Sequence, residues 1–129
     1  MESTDSLGRT PLFYAVAKDD IHRIHTQVAD SANVNARDHH GETPLHAAAR
    51  EFKIAAATIL LAEGANPNAQ DNEGNTPLFR AVFDSRGRGE MIRQLLAAGA
   101  DKRIINHYGI SPEKLAMTIA NYDVAKFFR

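Results

Sequence analysis

Apolar residues recur along the chain at helical spacing, in short paired blocks that polar segments separate. In the clearest block, Leu45, Ala48 and Ala49 place small apolar groups on one face of a short helix. A second stripe follows, formed by Ile54, Ala57, Thr58, Leu60 and Leu61. The polar segment after it is rich in Asn, Asp and Gly, which is typical of turns. The pattern predicts an all-α chain built from short helix–turn–helix units.

These units repeat with a fixed period. Thr-Pro-Leu occurs at positions 10–12, 43–45 and 76–78, at a spacing of 33 residues, and a weaker Ser-Pro copy follows 35 residues later at 111–112. A period in this range indicates a stack of supersecondary units. We predict a single domain, 1–129, with repeats at about 5–37, 38–70, 71–105 and 106–129. The first and last repeats would act as caps.

The residues of the second repeat explain its local structure. Thr43 is a suitable helix N-cap, and Pro44 then occupies the first helical position, where no N–H is needed. Gly64 can take the positive φ of a helix C-terminus. His46 is expected to bond a backbone group near the neighbouring turn. Two extra residues lie between the helices of the third repeat, in segment 84–90, and the fourth repeat ends after its second helix at 124–128.

The second repeat reads Thr-Pro-Leu-His-Ala-Ala from Thr43 to Ala48, and it resembles the ankyrin repeat, whose signature is T-P-L-H-x-A with a period of 33. The resemblance covers residues 5–128, nearly the whole chain. It implies an ankyrin repeat solenoid of four helix–turn–helix repeats with short β-hairpin loops. It also implies that the hairpin tips and the first helices line a concave groove that binds other proteins.

Composition narrows the range of partners. The 129 residues carry a formal charge of −1, which does not favour nucleic acid or an anionic membrane as a partner. The sequence has no cysteine, which excludes disulfides and thiolate metal sites. No signal peptide is visible, and the longest apolar stretch, 54–62, is too short to span a bilayer. We expect a cytoplasmic protein that is monomeric when free.

No constellation of residues indicates catalysis. The sequence lacks a G-x-S-x-G, an H-E-x-x-H and a P-loop, so we expect no enzyme, no cofactor and no metal. His22 and His25 are three residues apart on a predicted helix, but the sequence places no third ligand beside them. The basic segment 86–89 could touch phosphate, although a solvated loop between two helices is the favoured interpretation.

The candidate partner-binding residues are the variable positions at the tips and on the first helices. At the tips they are Arg9, Arg37, His39, His40, Glu42, Asn72, Glu73, Asn75, His107, Tyr108 and Ile110. On the first helices they are Arg50, Glu51, Phe83 and Asp84. Because interfaces concentrate binding energy in aromatic and Arg residues, the strongest candidates are Tyr108, Phe83, Arg37, Arg50 and Arg9. Phe83 could instead pack against the fourth repeat.

Segments 108–112 and 118–128 resemble the final repeat of small stand-alone bacterial ankyrin proteins. Many of those are immunity partners of polymorphic or contact-dependent toxins. The resemblance implies an inhibitor that covers the active site of a toxin or effector enzyme domain. One alternative is a general ankyrin scaffold or regulatory adaptor. Another is a metal-dependent catalytic function using His22 and His25, for which no motif exists. The irregular copies argue against a designed binder.

Overall fold

The computed structural model describes residues 4–30, 32–119 and 123–128. Within these ranges the chain forms seven α-helices, one 3₁₀ turn and no β-strand. The elements are α1 (Pro11–Ala17), α2 (Ile21–Ala29), α3 (Pro44–Arg50), α4 (Ile54–Ala62), α5 (Pro77–Phe83), α6 (Glu90–Ala97), α7 (Pro112–Thr118) and the 3₁₀ turn Ala125–Phe128. The predicted all-α repeat solenoid is therefore confirmed.

The first helix of each repeat begins at a Thr-Pro or Ser-Pro step. Thr76 Oγ1 accepts a hydrogen bond from Phe79 N at 3.2 Å, and Ser111 Oγ accepts one from Lys114 N at 3.1 Å. The following Pro occupies a position where the helix needs no N–H donor. These residues fix where each first helix starts.

The helices form two rows with the core between them. The first helices α1, α3, α5 and α7 pack in one row, and the second helices α2, α4 and α6 pack in the other. Fully buried side chains come from both rows: Leu12, Leu45, Leu78, Ile24, Leu60 and Leu95. Each repeat therefore buries its apolar face both between its own two helices and against the neighbouring repeats.

One predicted core position of α4 is wrong. Thr58 is exposed, whereas Ala56, which the sequence pattern left out of the stripe, is buried with Ala57 and Leu60. The Thr58 hydroxyl instead accepts a hydrogen bond from Gln94 Nε2 at 2.5 Å. Because α4 is apolar at almost every position, its sequence does not specify which side is buried.

In the residues that the structure describes, the loops between repeats are tight turns and carry no β-strand, which differs from the predicted hairpins. In the turn at 38–42, Asp38 N donates to Glu42 O at 2.9 Å. Asp38 Oδ1 accepts hydrogen bonds from the amides of His40 and Glu42, both at 2.9 Å. Because the carboxylate satisfies these amides, the turn closes without a strand ladder.

One backbone hydrogen bond joins each turn to the next, and we call this series the turn row. The amide of the first tip residue donates to the carbonyl of the second tip residue in the preceding turn. The bonds run from His39 N to Leu7 O (2.8 Å), from Asn72 N to His40 O (2.9 Å) and from His107 N to Glu73 O (2.9 Å). The donating residue also lays its side chain against the Gly of the preceding turn. These pairs are His39 with Gly8, Asn72 with Gly41, and His107 with Gly74.

His46 links the second repeat to the third, as the motif predicts. Its Nδ1 accepts a hydrogen bond from Thr43 N at 3.1 Å, and its Nε2 lies 2.8 Å from the carbonyl oxygen of Asn75. A backbone donor at Nδ1 and a carbonyl at Nε2 require the neutral tautomer protonated at Nε2. Burial lowers the pKa of His46, which favours the same neutral form.

The insertion in the third repeat contacts both neighbouring repeats. The guanidinium of Arg88 lies 3.9 Å from the ring centroid of Phe52 in the second repeat. On the other side, the ring of Phe127 lies against Gly89 and 4.7 Å from the guanidinium of Arg93. The segment that the sequence marks as irregular therefore fastens three repeats together.

The second helix predicted for the fourth repeat is only a 3₁₀ turn in the described residues, at Ala125–Phe128. The backbone is extended at Ile119 (φ −71°, ψ 119°), which ends α7, and residues 120–122 lie outside the described ranges. Val124, just before this turn, is fully buried, and Phe127 within it reaches Gly89 of the third repeat.

The fourth repeat carries charge where the others carry core residues. Glu113 stands at the motif position of Leu45 and Leu78, and its carboxylate lies 3.1 Å from Lys102 Nζ. A charged residue here fits a capping repeat with a wet outer face. In the described part of the chain, no helix is long and apolar enough to cross a membrane.

Candidate functional site

The turn tips and the first helices form one side of the molecule, which we call the inner face. Between the first two repeats it contains a cavity of about 230 Å³. Five predicted residues line this cavity: Arg9, His40, Glu42, Arg50 and Glu51. The remaining lining residues are Leu7, Phe13, Tyr14, Ala17, Asp38 and Ala47. The fold therefore brings charges of both signs and apolar groups together in one depression.

An ion pair forms one wall of the cavity. Arg50 Nη1 lies 2.5 Å from Glu42 Oε1, and the side chains are 34% and 12% exposed. The Glu42 carboxylate is thus largely enclosed by its own chain, while part of the Arg50 guanidinium remains accessible. The pair shapes the cavity, and Arg50 is the member that a partner can reach.

A second charged cluster lies at the first turn. Arg9 Nε lies 3.0 Å from Asp5 Oδ2, and the hydroxyl of Tyr14 donates a hydrogen bond to the same oxygen. The Tyr14 hydroxyl and the Arg9 amide hold the pKa of the Asp5 carboxyl well below its usual range. The same hydrogen bond raises the pKa of Tyr14. The cluster fixes the position of the Tyr14 ring at the edge of the cavity.

The third repeat contributes an exposed aromatic ring to the inner face. Phe83 is 60% exposed, so it is not covered by the fourth repeat. The guanidinium of Arg80 lies 5.4 Å from its ring centroid, and Arg80 Nη2 lies 3.6 Å from Asp84 Oδ2. Arg80 Nε and Asp84 Oδ2 are buried without a hydrogen-bond partner, so this ion pair is not closed by a hydrogen bond.

Four predicted tip residues hold neighbouring turns together. His39, Asn72 and His107 form the turn row described above. Arg37 Nη1 donates to Gln70 O at 2.8 Å in the next repeat. Their side chains therefore have structural roles, whatever they contribute to binding.

Comparison with known families agrees with this architecture. A family model described as ankyrin repeats (3 copies) matches residues 1–71 and 23–106, which is more than half of the chain. The chain belongs to the ankyrin repeat family. No curated protein matches it. Ankyrin repeat proteins are generally binding modules for other proteins rather than enzymes, so the chain is a protein-binding module.

One predicted contact residue of this ankyrin repeat protein lies inside the stack. Asn75 is only 6% exposed. Its carbonyl faces His46 Nε2, and its Oδ1 accepts a hydrogen bond from Asn106 Nδ2 at 2.9 Å. Asn75 therefore holds successive turns together, and we remove it from the candidate binding residues.

In the last turn of the ankyrin repeat protein, the predicted residues differ in how exposed they are. Tyr108 is 70% exposed, and its hydroxyl donates to Glu73 Oε2 at 3.3 Å. Ile110 is half-buried and donates its amide to Asn106 Oδ1 at 3.0 Å. Tyr108 and Glu73 are therefore available to a partner, whereas Ile110 mainly closes the turn.

Sequence reasoning missed two residues of the inner face, Tyr14 and Arg80. Both occupy the variable position x of the T-P-L-H-x-A motif, where the second repeat has Ala47 and the fourth has Leu115. The sequence did contain a signal for these residues, because this motif position changes from Tyr to Ala to Arg to Leu along the four repeats. Variation at a position that packing leaves free marks a residue that faces outward.

The predicted histidine pair on α2 shows no features of a metal site. His22 and His25 are both exposed. Across residues 4–30, 32–119 and 123–128, no group of three His, Asp or Glu side chains could hold a metal ion. Of the two arginines in segment 86–89, Arg88 stacks on Phe52 and donates Nε to Ser85 O at 3.0 Å.

Proposed function

We propose that this ankyrin repeat protein binds a toxin or effector enzyme domain through its inner face and covers the active site of that domain. Family membership supports the protein-binding part of this proposal. We choose the inner face because the cavity between the first two repeats brings five predicted residues together beside the exposed ring of Tyr14. Charges of both signs around apolar walls suit the polar cleft of an enzyme.

The proposed mechanism is steric occlusion. Arg and aromatic side chains dominate interface energetics, and the inner face presents Arg50, Tyr14 and Phe83 for this purpose. The rows of helices and the turn row hold these side chains before the partner arrives. A surface that is already ordered loses little conformational freedom on binding, which favours affinity.

The choice of a toxin or effector as partner rests on the resemblance of segments 108–112 and 118–128 to the final repeat of bacterial immunity proteins. On the same basis we propose that the protein is a cytoplasmic monomer that pairs with one enzyme domain. The absence of cysteine from the sequence fits a reducing compartment.

Affinity capture of the partner, followed by an assay of the partner's activity, tests this role. The protein is used as bait in a lysate of the source organism, and the recovered partner is identified and purified. We expect one partner at equal stoichiometry, an enzyme whose activity falls to background when one equivalent of the ankyrin repeat protein is added. A partner that is not an enzyme, or an enzyme that stays fully active when saturated, would instead establish the general adaptor.

A further inference from the structure

The turn row has an open end at the last turn. The carbonyl oxygens of Leu7, His40 and Glu73 each accept an amide from the following turn, whereas that of Tyr108 accepts none in the described residues. The glycines of the three earlier turns are buried, but Gly109 is exposed and has no other atom within 4 Å of its would-be Cβ. Within the part of the chain that the structure describes, the Tyr108 carbonyl therefore has no backbone donor, and the flat surface over Gly109, which we call the open seat, has no side chain covering it.

The chain itself shows which group fits such a seat. At three successive turns the occupant donates its backbone amide to the open carbonyl and lays its own side chain over the glycine. The side chains that do so are His39, Asn72 and His107, all flat and polar. A fourth occupant of the same kind would complete the series at Gly109 with the same geometry.

The rim of the open seat is apolar. Tyr108 is 70% exposed and Ile105 is 59% exposed. Ile105 stands where Arg37 and Gln70 stand in earlier repeats, and those two side chains reach forward to bond the next turn. Because Ile105 cannot donate a hydrogen bond, this end offers an arriving chain apolar contact instead.

A whole further repeat does not fit this end. Glu113 and Lys114 replace the buried Leu and the buried His or Phe of the earlier repeats, so another repeat would bury two charged groups where the others bury neutral ones. The first turn of a second copy is also a poor match, since it carries Ser6 where the internal occupants are His or Asn. A single turn of another protein meets neither objection.

We propose that the open end of the turn row, at Tyr108 and Gly109, is a docking site for a turn of a partner protein that carries His or Asn at its tip. The docked residue donates its backbone amide to the Tyr108 carbonyl and lays its side chain over Gly109. This is main-chain pairing at an exposed edge, with a side-chain pocket that gives selectivity. The inference extends the proposed protein-binding function to a second surface, outside the cavity of the first two repeats.

The probe for this site is a backbone-cyclised peptide carrying residues 37–43, the segment that occupies Gly8 in the folded chain. Amide chemical shifts of the whole protein are recorded while the peptide is added to millimolar concentration. We expect saturable shifts at Tyr108, Gly109 and Ile110. A peptide with Gly in place of His39 should bind at least about threefold more weakly, because it lacks the covering side chain.

Two variants separate docking from folding. Gly109→Ala places a methyl group in the seat and should abolish the shifts. Gly99→Ala is the matched control, because Gly99 also has a positive φ (98° against 77°) and no atom within 4 Å of its would-be Cβ. It should respond to the peptide as the unchanged protein does.

Three outcomes would overturn the proposal. They are no shift at 105–110, shifts that persist in Gly109→Ala, and shifts that depend on protein concentration without peptide, which would make a second copy the occupant. Failure here is distinguishable from failure of the proposed function, because His40→Ala and Glu51→Ala change the cavity and should leave the peptide response unaltered.

Discussion

At the scale of single residues, His46 joins two repeats through one ring. Its Nδ1 faces the amide of Thr43 and its Nε2 faces the carbonyl of Asn75, and it has no exposed surface. No smaller side chain reaches both groups. The motif histidine is therefore a structural residue, and its removal leaves the buried Thr43 amide without an acceptor and the Asn75 carbonyl with only the Asp71 amide as donor.

We expect His46→Ala to lower the free energy of unfolding by about 3 kcal/mol, since it leaves the buried Thr43 amide without its acceptor and creates a cavity. Equilibrium denaturation with urea measures the change. His25→Ala is the control, because His25 is exposed on α2, and it should stay within about 0.5 kcal/mol of the unchanged protein. Equal effects of the two substitutions would remove His46 from this role.

Stability should also depend on pH through His46. Burial lowers the pKa of His46 in the folded state below the ordinary 6.5. Below pH 6.5 the unfolded chain therefore binds a proton at His46 more readily than the folded protein does. The free energy of unfolding is then fully present above pH 6.5 and falls as the pH drops below it, by up to about 1.4 kcal/mol per pH unit. Denaturation between pH 7.5 and pH 5 should show a steeper loss in the unchanged protein than in His46→Gln. Parallel slopes would contradict the assignment.

Sequence reasoning at this scale succeeded where the motif fixes a role and failed where it does not. The hydrogen bond of His46 follows from its motif position. The burial of Asn75 does not, because it depends on Asn106 approaching from the next repeat. The contact of Tyr14 with Asp5 was missed because the fold brings these two residues together, whereas Asp84 lies four residues after Arg80 and that pair could have been predicted from the sequence.

At the scale of elements, segment 84–89 has the most specific role. Arg88 stacks on Phe52 in the second repeat, and Gly89 receives the ring of Phe127 from the fourth. Gly89 has an ordinary negative φ (−106°), so glycine is needed there for space rather than for backbone conformation. The close approach of Phe127 is what excludes a side chain.

Gly89→Ala should therefore destabilise the protein by about 1–3 kcal/mol through overcrowding against Phe127. In the background of Phe127→Ala, which removes the ring, the same substitution should have less than half of that effect. The free energies of unfolding of the four proteins in this cycle provide the measurement. Independent effects of the two substitutions would mean that the ring does not occupy this space.

The elements themselves could largely be predicted from the sequence, since Thr-Pro or Ser-Pro steps mark the starts of the first helices, and apolar spacing followed by Gly64 or Gly99 marks α4 and α6. The second element of the fourth repeat could not, because it is a single 3₁₀ turn whose Phe127 lies against Gly89 of the third repeat. The predicted hairpins became simple turns because Asp38 and its equivalents satisfy the tip amides with side-chain oxygens.

At the scale of the whole molecule, the stack creates a surface that no single repeat contains. The cavity needs the first turn and α1 from one repeat and the second turn and α3 from the next. The repeat pattern predicts that such a surface exists and which positions can reach it. It does not predict the cavity between the first two repeats, because its walls depend on the ion pairs that Asp5 and Glu42 make with Arg9 and Arg50.

The central claim is that the inner face at the first two repeats binds a protein, and calorimetric titration of the captured partner tests it most directly. His40 and Glu51 line the cavity, and their side chains make no hydrogen bond in the described residues, so His40→Ala/Glu51→Ala should fold normally. The matched control is His25→Ala/Glu63→Ala on the outer row, where both residues are exposed. We predict that the cavity variant binds at least about tenfold more weakly while the control keeps full affinity. Equal affinity of the two variants, or a loss in the control alone, would contradict the account.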